Sequence, residues 1–425
     1  VSEAFDLVVV GAGPGGLAAA ATAAESGMRV CLLDDNPSAG GQIWRTGLGD
    51  GPVKTARRWL RRIEIARVEA RFGWRAVVAP APGVLRIEQS GLFADLEYAA
   101  LVLATGARER FLPFPGWTLP GVYGAGGLQA FVKSGFSVRG KRVVIAGTGP
   151  LLPAVAAHLR AAGARIVSVV EQAPMRRLLK FSAGLLGGQT GKLFEGAGYA
   201  LRLAGVPYRT GAWIMRAHGD ERLERVTILA GLNVLELEAD MLAFGYHLVP
   251  NTELAQLLHC KLDRGYVRVD ELQRTSVKGI YCVGESTGIG GVDKAQLEGR
   301  IAALATAGRP DEARTLTGAR DRQMNFVRSL ADAFALRDEL RHLPEDDTLV
   351  CRCEDVPYRG LEGCGSLREA KLHTRCGMGP CQGRICGAAS EFLFGWKAPA
   401  PRPPLFPVEV ATLAGVIESA PARDN

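Results

Sequence analysis

No stretch of this 425-residue sequence reaches the roughly 18 to 20 uninterrupted apolar residues that a membrane-spanning helix requires. The nearest, the alanine-rich run after Gly16, is broken by Glu25 and Ser26. No block of Lys or Arg forms a tail or stripe, and 51 basic against 44 acidic residues leave a net charge of only +7. A nucleic-acid binder concentrates its charge, so that class is excluded, while a mildly basic surface suits an acidic protein partner. The first residues show no charged stretch followed by an apolar core, which predicts no export signal and a cytoplasmic chain, at most peripheral to the inner face of the membrane. Histidine is scarce: His158, His218, His247, His259, His342 and His373 stand at no motif spacing from a carboxylate or nucleophile. No substrate acid or base can therefore be named. Cys31, Cys260 and Cys282 are isolated, and no C-x-x-C pair is present to serve as a dithiol redox centre.

The composition is that of a globular chain, 47% hydrophobic and 22% charged, long enough for two or three domains. FDLVVV at 5–10 runs directly into GAGPGGLAAAATAAESG and then RVCLLDD, a strand, a glycine turn, a helix and a second strand. Gly11, Gly13 and Gly16 stand at G-x-G-x-x-G spacing, which fits a tight turn, close approach of a pyrophosphate, and close helix–strand packing. The free amides at the helix start suit phosphate, and Asp34, ending the second strand, suits the ribose hydroxyls of an adenosine. The pattern returns as KRVVIAGTGPLLPAVAAHLRAAGARIVSVVEQ, with Gly147 and Gly149 as the first two glycines and Glu171 as the acid. Leu152 holds the third glycine position. Two readings stay open there: an altered nucleotide site, or a structural unit.

Two strand–glycine edges, at Thr105-Gly106 and at Gly284-Glu285, flank the second unit and imply that it is inserted into the first. The expected fold class is α/β, with two Rossmann-like dinucleotide-binding domains plus a small C-terminal helical module. The expected boundaries are 1–130 with 251–310 for a discontinuous first domain, 131–250 for the second, and 311–349 for a helical connector. A cysteine-rich module follows at 350–397, where six of the nine cysteines crowd between Cys351 and Cys386. Such crowding points to metal chemistry in a reducing compartment. A proline-rich arm, 398–425, reads either as a solvated linker or as a strap lying on another subunit.

Taken together, GAGPGG with Asp34, GGQIW at 40–44, ATGARER at 104–110, LPGVYGAGGLQ at 119–129, GTGPLLPAVAAHL at 147–159 and VGESTGIGG at 283–291 resemble the two-dinucleotide-binding flavoproteins. CRCEDV at 351–356 with TRCGMGPCQGRIC at 374–386 resembles the cluster module of bacterioferritin-associated ferredoxin. The combination is similar to the alpha subunits of hetero-oligomeric dye-linked amino-acid dehydrogenases, a family with D-hydroxyproline dehydrogenase, octopine and nopaline oxidases, and hydrogen cyanide synthase. The resemblance implies FAD at the first unit, with contacts from Gly11, Gly13, Gly16, Asp34, Gly41, Gln42, Thr105 and Gly106. Glu285 stands where many relatives outside the group carry Asp. NAD(P) or ATP is a candidate for Gly147, Gly149 and Glu171, and FMN for a subunit interface. The implied partners are an external electron acceptor, an amino-acid-oxidase-like flavoprotein as beta subunit, and a small ferredoxin-like protein as gamma subunit.

Cys351-x-Cys353 and Cys381-x-x-x-x-Cys386 offer four thiolates in two pairs, which suits a [2Fe–2S] cluster. Zinc also accepts four thiolates, although a C-x-C first pair is less usual for it. Cys364 and Cys376 are left over and read as spectators, Cys376 standing where a small residue such as alanine is expected. The leading expectation is a flavin and iron–sulfur subunit that passes electrons from amine oxidation in a partner toward an external acceptor. The alternatives are a self-contained NAD(P)H-dependent ferredoxin-type reductase, a hydrogen cyanide synthase subunit, and an assembly subunit holding its cofactors for structure alone.

Overall fold

The computed structural model describes residues 2–44, 54–185 and 190–418. Its first sheet is built from β1 (Ser2–Val10), β2 (Val30–Asp34), β3 (Glu69–Phe72), β4 (Arg75–Ala81), β5 (Val84–Gln89) and β6 (Leu92–Leu103), in the order β3-β2-β1-β6-β5-β4. β1, β2, β3 and the end of β6 are parallel, and Leu7, Val8 and Val9 are fully buried, as expected for a strand covered on both faces. β6 is long enough to serve two partners along the edge opposite β1. Its first half pairs antiparallel with β5, and Leu101–Leu103 pair with the late strand Ile280–Cys282. That second pairing returns the chain to the first domain after the insertion.

The helix Pro14–Glu25 lies against the helix Gly291–Thr306. Small residues make the approach possible: a Cβ on Gly299 would overlap the carbonyl oxygen of Gly15. An antiparallel pair, Ala107–Glu109 with Leu248–Pro250, links the two domains.

The second sheet is parallel, in the order Tyr208–Thr210, Arg165–Glu171, Arg142–Thr148, Met241–Tyr246, Val122–Gly124. The expected boundary at 131 therefore needs correction. Val122–Gly124 pairs with Met241–Tyr246, and the helix Ala125–Lys133 that follows it packs in this domain, with Leu128 in its core. The insertion begins just after the linking strand Ala107–Glu109.

The connector is mostly one 24-residue helix, Pro310–Ala333, which packs against Gly291–Thr306 and Met175–Leu185. The thiol module combines a short strand pair, Leu349–Cys351 with Val356–Pro357, and the helices Leu367–Thr374 and Cys386–Phe394. Ser366 accepts from the Glu369 amide while the Glu369 carboxylate accepts from the Gly365 amide, so the first helix starts at a well-capped turn. Trp117 of the second domain donates its indole N–H to the Leu349 carbonyl at 2.6 Å and fixes the module against that domain.

Part of the proline-rich arm folds back on its own chain, while Ala398, Pro399, Ala400, Arg402 and Pro403 are exposed. The Leu405 amide donates to the Val77 carbonyl at 2.8 Å. Buried Arg86 donates to the carbonyls of Thr412 and Gly415 while pairing with Asp95 at 2.6 Å. Apolar Leu405 and Phe406 give this segment a reason to fold back, and they join the core beneath β4 and β5. Residues 419–425 of the arm lie outside the described residues.

Candidate cofactor sites

At the first glycine turn, Gly11 has φ +106°, and a Cβ there would overlap the carbonyl oxygen of Ala104. A Cβ on Gly16 would overlap the carbonyl oxygen of Gly11. Both positions therefore demand glycine. The helix that begins at Pro14 has no side-chain cap and no acid in its first turn, so its first amides face no competing anion of their own. Gly41, at φ +57°, comes so near that a Cβ on it would stand 3.0 Å from the Gly13 Cα. Gln42 is exposed on the same turn. The buried Asp34 carboxylate accepts from the Ala12 amide at 2.5 Å and from the Asn36 amide and side chain at 2.8 and 2.7 Å. It thus braces the glycine turn and keeps acceptor capacity for a ribose. The donor set and the glycine cradle fit a dinucleotide.

Thr105 and Gly106 meet the late part of the chain. The Thr105 hydroxyl donates to the Asn251 carbonyl at 2.6 Å and stands 3.0 Å from the Ser286 hydroxyl. The Asn251 amide donates to the Gly106 carbonyl at 2.9 Å. Glu285 does not point away from its own chain: its carboxylate accepts from the Gly290 and Gly291 amides at 3.0 and 2.8 Å and caps the following helix. Burial pushes its carboxyl up from the ordinary range.

The second unit repeats the plan one atom longer. Glu171 accepts from the Gly149 amide at 2.8 Å, the Thr148 hydroxyl at 2.7 Å and the Ala173 amide at 2.8 Å. Its extra methylene carries the brace from the residue after the first glycine to the second glycine itself. Gly147, at φ +130°, faces the Gly245 carbonyl, and Gly149 has φ +104°. Gln172, fully buried, donates to the Thr148 hydroxyl at 2.9 Å and toward the carbonyls of Phe334 and Ala335, so the end of the connector covers the ground beside Glu171. Leu152 is buried at the third glycine position.

In the thiol module, the Sγ atoms of Cys351, Cys376 and Cys386 all lie within 4.8 Å of one another, and all three residues are buried. Cys353 and Cys381 lie beside each other on the more exposed side. Hydrogen bonds from the Cys376 and Cys386 thiols, helped by the Gly377 and Glu354 amides, pull Cys351 down to about 2. The same contacts push Cys386 up, and the Cys351 contact pushes Cys376 up to about 12. Three soft donors gathered this closely suit a soft metal. Gly377 and Gly383 have φ near +80° and let the chain wrap the sulfurs, and a Cβ on Gly379 would overlap the Cys353 Cβ. The five thiols and the glycine wrap fit a cluster.

A family model described as pyridine nucleotide-disulphide oxidoreductase matches residues 5–309. The chain belongs to this family. It is 35% identical to the hydrogen cyanide synthase subunit HcnB of Pseudomonas aeruginosa, covering 94% of this chain and 96% of that one. It is 33% identical to an opine oxidase subunit of Rhizobium meliloti, covering 97% and 99%. Among solved structures, L-proline dehydrogenase of P. horikoshii shares the fold, with a TM-score of 0.69 over 97% of this chain and 80% of that chain at 19% identity. The family match stops before the thiol module, whereas the two curated relatives run through it.

No C-x-x-C dithiol stands beside the first glycine turn to carry the disulphide chemistry in the family's description. Cys31 is pushed up to about 12 by burial, and Cys260 and Cys282 are pushed up by burial as well. Among the described residues every cysteine is a free thiol. Sequence reasoning missed an ion pair and an arginine, and read Cys376 as a spectator. Lys294 and Glu298 form a fully buried ion pair at 2.8 Å that holds the Gly284–Thr287 turn, and their four-residue spacing was its only sequence signal. Arg108 donates to the Arg384 carbonyl at 3.0 Å and the Asn251 side chain at 2.7 Å, tying the thiol module to the Thr105 edge. Cys376 stands among the buried thiols.

Proposed function

We propose that this oxidoreductase is the flavin- and cluster-bearing subunit of a multi-subunit amino-acid or opine dehydrogenase, passing electrons from amine oxidation in a partner toward an external acceptor. The observation that carries the reading is the thiol module itself. A family whose description names a disulphide here lacks the dithiol, and five thiols are gathered instead in a module joined through Arg108 to the Thr105 edge. Relatives similar over nearly the whole length are named as subunits of opine oxidase and hydrogen cyanide synthase, which supports an assembly. FAD belongs at the first glycine turn, held by Gly11, Gly13, Gly16, Asp34 and Gly41, with Gln42, Thr105, Gly106 and Glu285 around it. A [2Fe–2S] cluster belongs at Cys351, Cys353, Cys381 and Cys386. When bound, the flavin supplies two-electron acceptance and the cluster one-electron transfer.

This chain's own residues cradle, orient and insulate those groups. Among the described residues no buried histidine or tyrosine pairs with a carboxylate as a substrate base would, and half-buried His247 is pushed down to about 4 by burial and by Arg110. Amine oxidation therefore belongs to an amino-acid-oxidase-like partner, with a small ferredoxin-like third subunit, and FMN is assigned to their interface. The second unit serves as scaffold in this reading. Leu152 fills its third glycine position and the connector covers Gln172, which counts against a self-contained NAD(P)H reductase and leaves NAD(P) or ATP as a secondary occupant.

Anaerobic purification with co-expressed partners tests the whole scheme. FAD, iron and sulfide should accompany this chain, and dye-linked oxidation of proline, hydroxyproline or an opine should need the complex. Full turnover by the isolated chain, or rapid flavin bleaching by NADH or NADPH alone, would refute it.

A further inference from the structure

A binuclear cluster takes four thiolates, and the module gathers five. Cys353 and Cys381 form the outer pair, and three thiols share the inner pole. At a tetrahedral centre with metal–sulfur bonds of about 2.3 Å, neighbouring sulfurs stand about 3.8 Å apart. Cys351, Cys376 and Cys386 are already within 4.8 Å of one another. Any two of the three can reach that spacing by side-chain adjustment alone.

The placement of Cys376 is built into the fold. The helix Leu367–Thr374 ends at Arg375, which adopts a left-handed conformation at φ +66°, and the Cys376 amide donates to the Thr374 hydroxyl at 3.2 Å. Gly377 follows at φ +82°. This double reversal drives the Cys376 side chain inward, where it is fully buried. Cys364, the other surplus cysteine, is only half-buried and does not join the group. Packing alone would be served there by any small apolar residue, whereas a thiol this close to two ligands is a donor.

We propose that Cys376 is a reserve ligand of the inner iron, taking the coordination position of Cys386 when that thiolate is withdrawn. The proposal rests on the cluster reading above. Its consequence is an asymmetric centre, with an outer pole of two thiols and no spare, and an inner pole that tolerates loss of one donor.

Alanine variants of the full chain, purified anaerobically, give the test, read by iron and sulfide content and by the electron paramagnetic resonance of the dithionite-reduced protein. Cys376→Ala should keep iron, sulfide and the wild-type signal. Cys386→Ala should keep at least about half of the wild-type iron and sulfide with a shifted signal. Cys376→Ala/Cys386→Ala should fall to background, as should Cys353→Ala, whose pole has no spare. Bound FAD reports that each variant is folded, and Cys386→Ser, which preserves side-chain volume, replaces the alanine variant if FAD is lost. Iron loss from a FAD-loaded Cys386 variant as complete as from the double variant overturns the reserve role. A wild-type chain devoid of iron and sulfide overturns the cluster reading and this proposal with it.

Discussion

The buried Lys294–Glu298 pair gives the sharpest test of how the first domain closes. The Lys294 ammonium reaches the Gly284 carbonyl, the Thr287 hydroxyl and Glu298, each at 2.8 Å, and Glu298 accepts from the Gly284 amide at 2.8 Å. Their side chains are 1% and 2% exposed, so water cannot substitute for a missing partner. Glu298→Ala strands an ammonium in the core, which costs about 3–5 kcal/mol, and leaves the Gly284 amide unpaired. Lys294→Met/Glu298→Leu removes both charges and leaves only the Gly284 amide without a partner, since the Thr287 hydroxyl still donates to the Gly284 carbonyl, a loss of about 2 kcal/mol. The double variant should therefore be more stable than the single one. Against a total folding free energy of about 5–15 kcal/mol, the single variant should unfold at visibly lower urea and lose FAD during gel filtration. Urea titration followed by circular dichroism measures the order. A single variant within about 1 kcal/mol of wild type, or a double variant worse than the single, would refute the reasoning.

Three further outcomes follow from the same geometry. Gly16→Ala places a methyl on the Gly11 carbonyl oxygen, so bound FAD should drop to a small fraction of wild type, measured by absorbance after desalting. Burial pushes the Glu171 carboxyl from the ordinary 4.5 up to about 7. Because the folded value is the higher one, its stabilising contribution is complete below about pH 4.5 and is lost as pH rises through about 7, a swing of about 3 kcal/mol. Glu171→Gln should flatten that part of the stability–pH curve, and an unchanged slope in calorimetric scans would count against it. Arg86→Ala leaves Asp95 unpaired and releases the Thr412 and Gly415 carbonyls, so limited proteolysis should cut the arm faster by an order of magnitude or more.

The two glycine turns were legible in the sequence because the demand there is absolute: no other residue fits Gly11 or Gly16. The insertion was legible for a related reason, since two strand–glycine edges flank it. Its start was not, because Val122–Gly124 is a three-residue strand that becomes one only by pairing with Met241–Tyr246. Paired spacing singled out four cysteines and passed over Cys376, whose inward aim depends on the left-handed turn at Arg375. Lys294 and Glu298 stand at the spacing of an exposed helix pair, and only the packing of two helices decides that they are buried. Prolines in the arm look alike whether solvated or packed, and only Leu405 and Phe406 hinted at the core they enter.

The first domain is completed by residues far along the sequence. Its sheet begins with residues 2–10, receives Ile280–Cys282, and is covered last by Leu405 and the segment that satisfies Arg86. A ribosome exposes the glycine turn early, but the helix that closes over it emerges only after the second domain has been made. The nascent first domain therefore waits with the Leu101–Leu103 end of β6 open along one edge, a state prone to mispairing, while the second domain is free to fold within its own contiguous stretch. Loading of the dinucleotide and of the thiol centre then falls late, once residues 280–415 have emerged. Pulse-labelled nascent chains should accordingly become protease-resistant in the 110–246 region first, and over 2–103 only after residues 280–415 have emerged.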